Sequence, residues 1–174
     1  MCREVSISPQ PTEWILLTTE PVDSAEDARR IVSYYEDRWK IEEFHKAWKS
    51  GGTQIEKSRL QSAGNLERMA VILAFIAVRL LQLKELVYLD KTMAGKDYSH
   101  IMTELQWRLL WRKQQKKIYR KKTAPTTEWV YYALARLGGW INSKRTGRVG
   151  WNALWEGWFK LDMLAEGYEL AQSE

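Results

Sequence analysis

Residues 34–49 read Tyr34-Tyr35-Glu36-Asp37-Arg38-Trp39-Lys40-Ile41-Glu42-Glu43-Phe44-His45-Lys46-Ala47-Trp48-Lys49, a run without glycine or proline. The pattern predicts the second half of a long helix that starts near Ser24 and ends at Ser50-Gly51-Gly52. A helix turns about 100° per residue, so Tyr35, Arg38, Glu42 and Lys49 fall within roughly 60° of one another. Ile41, Phe44, Ala47 and Trp48 lie on a different side, where burial is expected. One stripe packs, and the other presents a tyrosine, two cations and a carboxylate.

Upstream, Arg3-Glu4-Val5-Ser6-Ile7-Ser8 alternates, Pro9-Gln10-Pro11-Thr12 breaks, and Glu13-Trp14-Ile15-Leu16-Leu17-Thr18-Thr19 is a second β-type run. This predicts a short N-terminal β-hairpin. An isolated hairpin is marginal in water, so more sheet or a helix is expected beside it, and the chain reads as beginning inside a sheet. Glu20-Pro21-Val22-Asp23 connects, and Ser24-x-x-Asp27 is a capping signal for the first helix.

Downstream, residues 53–64 read as a polar loop, and Asn65 opens a second helix to about Val87. From Leu66 to Leu83 that helix is apolar nearly all round, Arg68 and Arg79 excepted, which predicts the buried centre of a helical domain. After a connector at 88–98, Ser99 begins a third helix with Ile101, Leu105, Leu109 and Ile118 on its stripe. The third helix ends in a run, Arg112 to Lys122, with seven basic residues and no acid. Thr126 or Thr127 caps a fourth helix carrying Trp129, Ala133, Leu137 and Trp140. A basic turn, Ser143 to Arg148, precedes a fifth with Trp151, Leu154, Trp155, Trp158 and Leu161 at helical spacing. The expected class is mainly α, with about five helices after the hairpin.

The 174 residues suffice for an ordinary domain with a real core, and 45% are hydrophobic. Ten Trp and eight Tyr supply much of that core area. A net charge of +5 biases the surface towards anions without naming one. A single cysteine, Cys2, excludes an internal disulfide framework and a cysteine-based zinc site. The longest apolar run, Met69 to Val78, is too short for a bilayer, which needs about 20 residues. A cytoplasmic protein with no membrane partner is expected.

Hydrolase templates are absent: there is no HExxH, GxSxG or P-loop pattern. Of the two histidines, His45 reads as a surface or hydrogen-bonded group and His100 as a residue near a helix start. Glu42 has two readings. Arg38 and Lys46 stand four residues to either side, which makes an exposed ion-pair ladder worth a few tenths of a kcal/mol per pair. Alternatively, Glu42 is a functional carboxylate between phosphate-binding cations. The basic run at 112–122 is either a solvated helix end or a phosphate contact, and the tryptophans of the fourth and fifth helices read as core or dimer contacts in preference to a base-stacking platform.

Tyr35-x2-Arg38-x3-Glu42-x6-Lys49 resembles the Tyr-Arg-Glu-Lys signature of bacterial insertion-sequence transposases of the DDE type, in the fourth insertion-sequence group. The likeness extends through Thr12 to Thr18, Arg38 to Lys49, Asn65 to Met69, Ala77 to Leu83, Ala135 to Gly139, Ser143 to Gly147 and Ala153 to Trp158. It implies the C-terminal part of a ribonuclease-H-like core over residues 1–90 and a helical dimerisation and DNA-contact region over 91–174. The family's chemistry uses three carboxylates that hold two divalent metals, Mg2+ or Mn2+, at a phosphodiester. By the resemblance Glu42 is the third acid, catalytic and metal-ligating, while Asp23, Asp27 and Asp37 match neither of the other two. The chain thus reads as a C-terminal fragment, inactive alone and binding no metal alone. Tyr35, Arg38 and Lys49 correspond to residues that hold the DNA backbone near the cleaved end. Trp14 corresponds to a ring that stacks on a flipped base, and Lys46, Arg59 and Asn65 to further contacts with the transposon end. The implied partners are double-stranded DNA and a second copy through the C-terminal helices, in a bacterial, nucleoid-associated setting. The other reading is a non-catalytic basic helical module that binds DNA or protein.

Overall fold

In the computed structural model, which describes residues 2–3, 13–50, 58–88, 98–119 and 124–173, Ser24 opens the first helix for a local reason. Its backbone is extended, and its hydroxyl accepts the Asp27 N–H at 3.1 Å while the Asp27 carboxylate accepts the Ser24 N–H at 3.0 Å. The Ser24 hydroxyl also donates to that carboxylate at 2.7 Å and is the main cause holding the Asp27 carboxyl below its usual range. This reciprocal cap starts α1, Ala25–Glu36.

The chain is mainly helical. Ahead of α1, two-residue strands β1 (Cys2–Arg3) and β2 (Glu13–Trp14) pair antiparallel, Cys2 opposite Trp14 and Arg3 opposite Glu13. Of the expected hairpin, residues 4–12 lie outside the described residues, and the second run is shorter than its β-type residues predict: strand stops at Trp14 and residues 15–19 are irregular. After α1 come α2 (Arg38–Ser50), α3 (Ala63–Tyr88), α4 (Glu104–Gln115), α5 (Thr127–Leu137) and α6 (Trp151–Gln172). Among the described residues no helix is long and apolar enough to cross a membrane.

The expected single helix from Ser24 to Ser50 is in fact two. Asp37 still donates to Ser33 O at 3.1 Å, but the next turn tightens, with Lys40 N–H reaching Asp37 O at 3.0 Å. The Asp37 carboxylate pairs with Lys40 Nζ at 2.8 Å. Aspartate prefers caps to helix interiors because its short side chain competes for nearby groups, and here it serves as the C-cap of α1.

Compact packing divides the chain into residues 1–43 and 44–174. Within the first unit α1 contributes no buried residue. The second unit holds the core: α6 packs along α5, α3 packs on α5, and α4 packs on both α5 and α6. Leu80, Leu83, Leu110, Tyr131, Leu134, Leu154 and Trp155 are inaccessible to solvent there. At the α5–α6 crossing Gly138 and Gly157 leave no room for a Cβ; one on Gly138 would overlap Ala153 O and stand 2.7 Å from Gly157 N.

Two further expectations need correction. The third predicted helix does not begin at Ser99. Residues 99–102 form a turn, and Thr103 caps α4 through a reciprocal bond set with Gln106. Nor is α3 buried all round: Leu73, Ala77, Leu80 and Leu83 are covered, whereas Ile72 is 60% and Phe75 67% exposed. Apolar composition marks what a face tolerates, and packing covers only one face of this helix. Ile41, placed with the packing stripe of α2, is likewise 59% exposed, so burial on that stripe begins at Phe44.

The basic run also departs from a continuous helix. α4 stops at Gln115, and Lys116 adopts a left-handed conformation (φ 53, ψ 24) that donates its N–H to Arg112 O at 2.9 Å. A non-glycine residue there costs about 1 kcal/mol or more, because its Cβ crowds the following carbonyl. Lys116 is exposed, so Lys116→Gly is expected to raise stability by about 1 kcal/mol in a urea titration. No gain would place the C-cap elsewhere.

Candidate nucleic-acid interface on the second helix

Tyr35 stands in the last turn of α1 and Arg38 is the first residue of α2, three positions on across Asp37. The turn at Asp37 keeps them adjacent. The Arg38 guanidinium carbon lies 5.7 Å from the centre of the Tyr35 ring, within cation–π range. From there Arg38 Nη1 reaches Glu42 Oε1 at 2.8 Å, one turn along α2. The structure thus joins three of the four signature residues in one file: ring, guanidinium, carboxylate.

This file lies open to water. The Arg38 and Glu42 side chains are 58% and 53% exposed, so their pair contributes only about 0.2–1 kcal/mol. A weak, accessible pair can be exchanged: an arriving phosphate offers Arg38 oxygens that accept two of its N–H groups. Beside the file, a shallow hollow of about 290 Å3 runs between Leu17, Thr18, Ile31, Tyr34, Tyr35 and Arg38.

The rest of α2 belongs to the second unit and is held differently. Ala47 is fully buried, Phe44 and Trp48 stack with ring centres 5.8 Å apart, and Trp155 Nε1 donates to Ala47 O at 2.6 Å. That grip leaves Lys46 and Lys49 on exposed positions of α2, with Lys49 in its last turn, where a cation suits the helix dipole. His45 is exposed, its ring 5.5 Å from Phe44 and 6.2 Å from Trp48, in an aromatic row and not in a hydrolytic triad. His100 is exposed in the turn before α4.

Arg59 is exposed in the irregular stretch ahead of α3, and Asn65 is exposed in the first turn of that helix. The ring of Trp14 lies outside what is described, although its backbone pairs with Cys2. Of the basic run, Arg112, Lys113, Lys116 and Lys117 are exposed, and Arg120, Lys121 and Lys122 lie outside the described residues.

Three acids of α1, α2 and the turn between them are paired with neighbouring cations: Glu42 with Arg38, Asp37 with Lys40 and Asp27 with Arg30. Among the described residues, no three His, Cys, Asp or Glu side chains come together as ligands. A two-metal site needs several carboxylates, and one isolated glutamate does not make it.

One grouping matches no motif in the sequence. Tyr132 and Arg136 sit one turn apart on α5, and the chain beyond brings Trp140, Lys144 and Arg148 to the same cleft. The i, i+4 spacing of Tyr132 and Arg136 aligns those two on one side of α5, whereas Trp140, expected on the same helix, lies beyond its end at Leu137. No protein-family model matches the sequence.

Proposed function

We propose that this chain is the C-terminal part of a DDE-type transposase, acting in DNA transposition by binding the backbone of transposon-end DNA. The carrying observation is the file Tyr35, Arg38, Glu42, in which a guanidinium rests between a ring and a carboxylate on an exposed helix face. Arg38 grips a phosphate through two N–H groups, Tyr35 adds a hydroxyl, and Lys49 adds a point charge further along α2. By the resemblance, Lys46, Arg59, Asn65 and Trp14 each add a contact to the transposon end, and the basic residues from Arg112 to Lys117 add backbone charge. In this reading residues 1–90 are part of a ribonuclease-H-like core, led by a β-hairpin, and residues 91–174 carry DNA contact and self-association. In this reading Glu42 is the acid that the described residues would contribute to a Mg2+ or Mn2+ centre, and no cleavage step is assigned to this chain.

A second reading has its own support: an exposed Arg–Glu pair four residues apart is also an ordinary helix-surface bond, as expected of a basic helical interaction module. Mobility shift of labelled duplex DNA separates the two. Under the DNA reading, binding weakens steeply with salt, because each neutralised phosphate adds about 0.9 to the log–log slope. Arg38→Ala combined with Lys49→Ala is expected to lower affinity at least tenfold at low salt and to reduce that slope by about 2. Duplex binding absent at low salt, or unchanged by the double substitution, would sink the proposal and leave the interaction module.

A further inference from the structure

A cleft of about 520 Å3 opens where α5 ends and the chain returns towards α6. Its floor is a pair of half-buried rings, Tyr132 and Trp140, stacked with centres 5.4 Å apart and planes at 28°. Its rim carries three cations, Arg136, Lys144 and Arg148, and the lining contains no Asp or Glu. Among the described residues none of the three is in a salt bridge, and all are exposed. Asn142 adds an amide that both donates and accepts.

The wall of this cleft is set in advance. Ser143 and Thr146 bond each other reciprocally, Ser143 N–H to Thr146 Oγ1 at 3.2 Å and Thr146 N–H to Ser143 Oγ at 3.2 Å. The Thr146 hydroxyl also donates to Ile141 O. Gly147 takes φ +59, a left-handed conformation that glycine adopts without strain, and its carbonyl accepts Trp140 Nε1–H at 3.3 Å. The loop that places Lys144 and Arg148 is therefore tied to the ring that forms the floor. Such a wall needs little ordering when a ligand enters.

We infer that this cleft binds a nucleotide unit, its base against the Tyr132–Trp140 pair and its phosphate between Arg136 and Arg148. Three cations outside any salt bridge, with no acid in the lining, select for an anion, and Arg offers the planar fork that suits phosphate. An aromatic pair adds affinity for any base, since every base has a π-face. The volume sits within the roughly 300–1,000 Å3 range of small-molecule sites. The phosphate and base are shared by a free mononucleotide and by one nucleotide of an unpaired strand. This site uses none of Tyr35, Arg38, Glu42 or Lys49, so it stands or falls apart from the transposase reading.

Calorimetric titration of the full chain with adenosine monophosphate, inorganic phosphate and adenosine, at low salt, tests it. Adenosine monophosphate is expected to bind at least tenfold more tightly than either inorganic phosphate or adenosine. Arg136→Ala with Arg148→Ala, both exposed positions, is expected to remove at least tenfold of that affinity. Trp140→Phe, which keeps a ring, is expected to retain binding that Trp140→Ala loses. A short single-stranded oligonucleotide bound more tightly than the mononucleotide, and lost in the same variants, assigns the site to a strand; the reverse order assigns it to a free nucleotide. Equal affinity for phosphate and adenosine monophosphate, binding unaffected by the double Arg substitution, or binding abolished by Arg38→Ala with Lys49→Ala would each overturn the inference.

Discussion

Gly157→Ala is expected to destabilise the second unit by about 3 kcal/mol, enough to unfold a marginal domain near physiological temperature. A Cβ on Gly157 would overlap the Leu134 carbonyl and stand 2.9 Å from its carbon and 3.3 Å from Gly138 N. These neighbours are backbone atoms, so no side-chain rotation relieves the clash, and α6 must move away from α5. Overpacking typically costs about 1–3 kcal/mol, and a backbone collision belongs at the upper end. Alanine's better helix propensity returns only about 1 kcal/mol, so the clash wins. Gly167 on the same helix has open space around it, and Gly167→Ala is expected to stabilise by about 0.5–1 kcal/mol. Urea denaturation of both variants checks the argument; equal stabilities would mean that the two helices cross further apart than described.

Trp155→Ala is expected to cost about 3–5 kcal/mol, the loss of a wholly buried indole plus the cavity left behind. The ring stacks on Phe159 at 5.5 Å, and its N–H ends on Ala47 O at 2.6 Å. Trp155→Phe separates these contributions, because it retains most of the apolar volume and removes the donor. Its expected cost is about 1–3 kcal/mol, the range for leaving a buried hydrogen-bonding group without its partner. Chemical denaturation of the two variants gives the comparison, and a Phe variant as stable as the parent would show that the indole N–H does not hold α2.

Local signals were the legible part of this fold. Ser24 with Asp27, and Thr126 ahead of α5, form the caps their residue types announce, because a cap is decided within four residues. The stripe Leu154, Trp155, Trp158 and Leu161 is buried as its spacing indicates. Asp37 was harder: its neighbours on both sides favour helix, and only the tightened turn and the Lys40 pair interrupt it. Thr103-x-x-Gln106 carried a readable capping signal, but Ser99, four residues earlier, is also a residue type that opens helices. The exposed side of α3 was not readable at all, since Val71, Ile72 and Phe75 look the same in sequence whether or not anything covers them.

The candidate site divides along the same line. Contact between Tyr35, Arg38 and Glu42 follows from helical spacing and is met despite the interruption at Asp37. The Tyr132–Trp140 cleft depends on how residues 140–149 fold back, which spacing alone does not dictate. The roles given to Trp14, Lys46, Arg59 and Asn65 rest on resemblance, and their positions define surfaces to test.

The bond from Trp155 to Ala47 also has a consequence in time. Its partners are 108 residues apart in the chain. At a synthesis rate of about 5–20 residues per second, the part of α2 from Phe44 onward waits roughly 5–20 s for the indole that fixes it. During that interval Phe44 and Trp48 lack their final cover, and the helix carrying the cationic stripe is only as ordered as its own turns make it. α6, which is synthesised after the other described helices, therefore completes the element on which the DNA-binding reading depends.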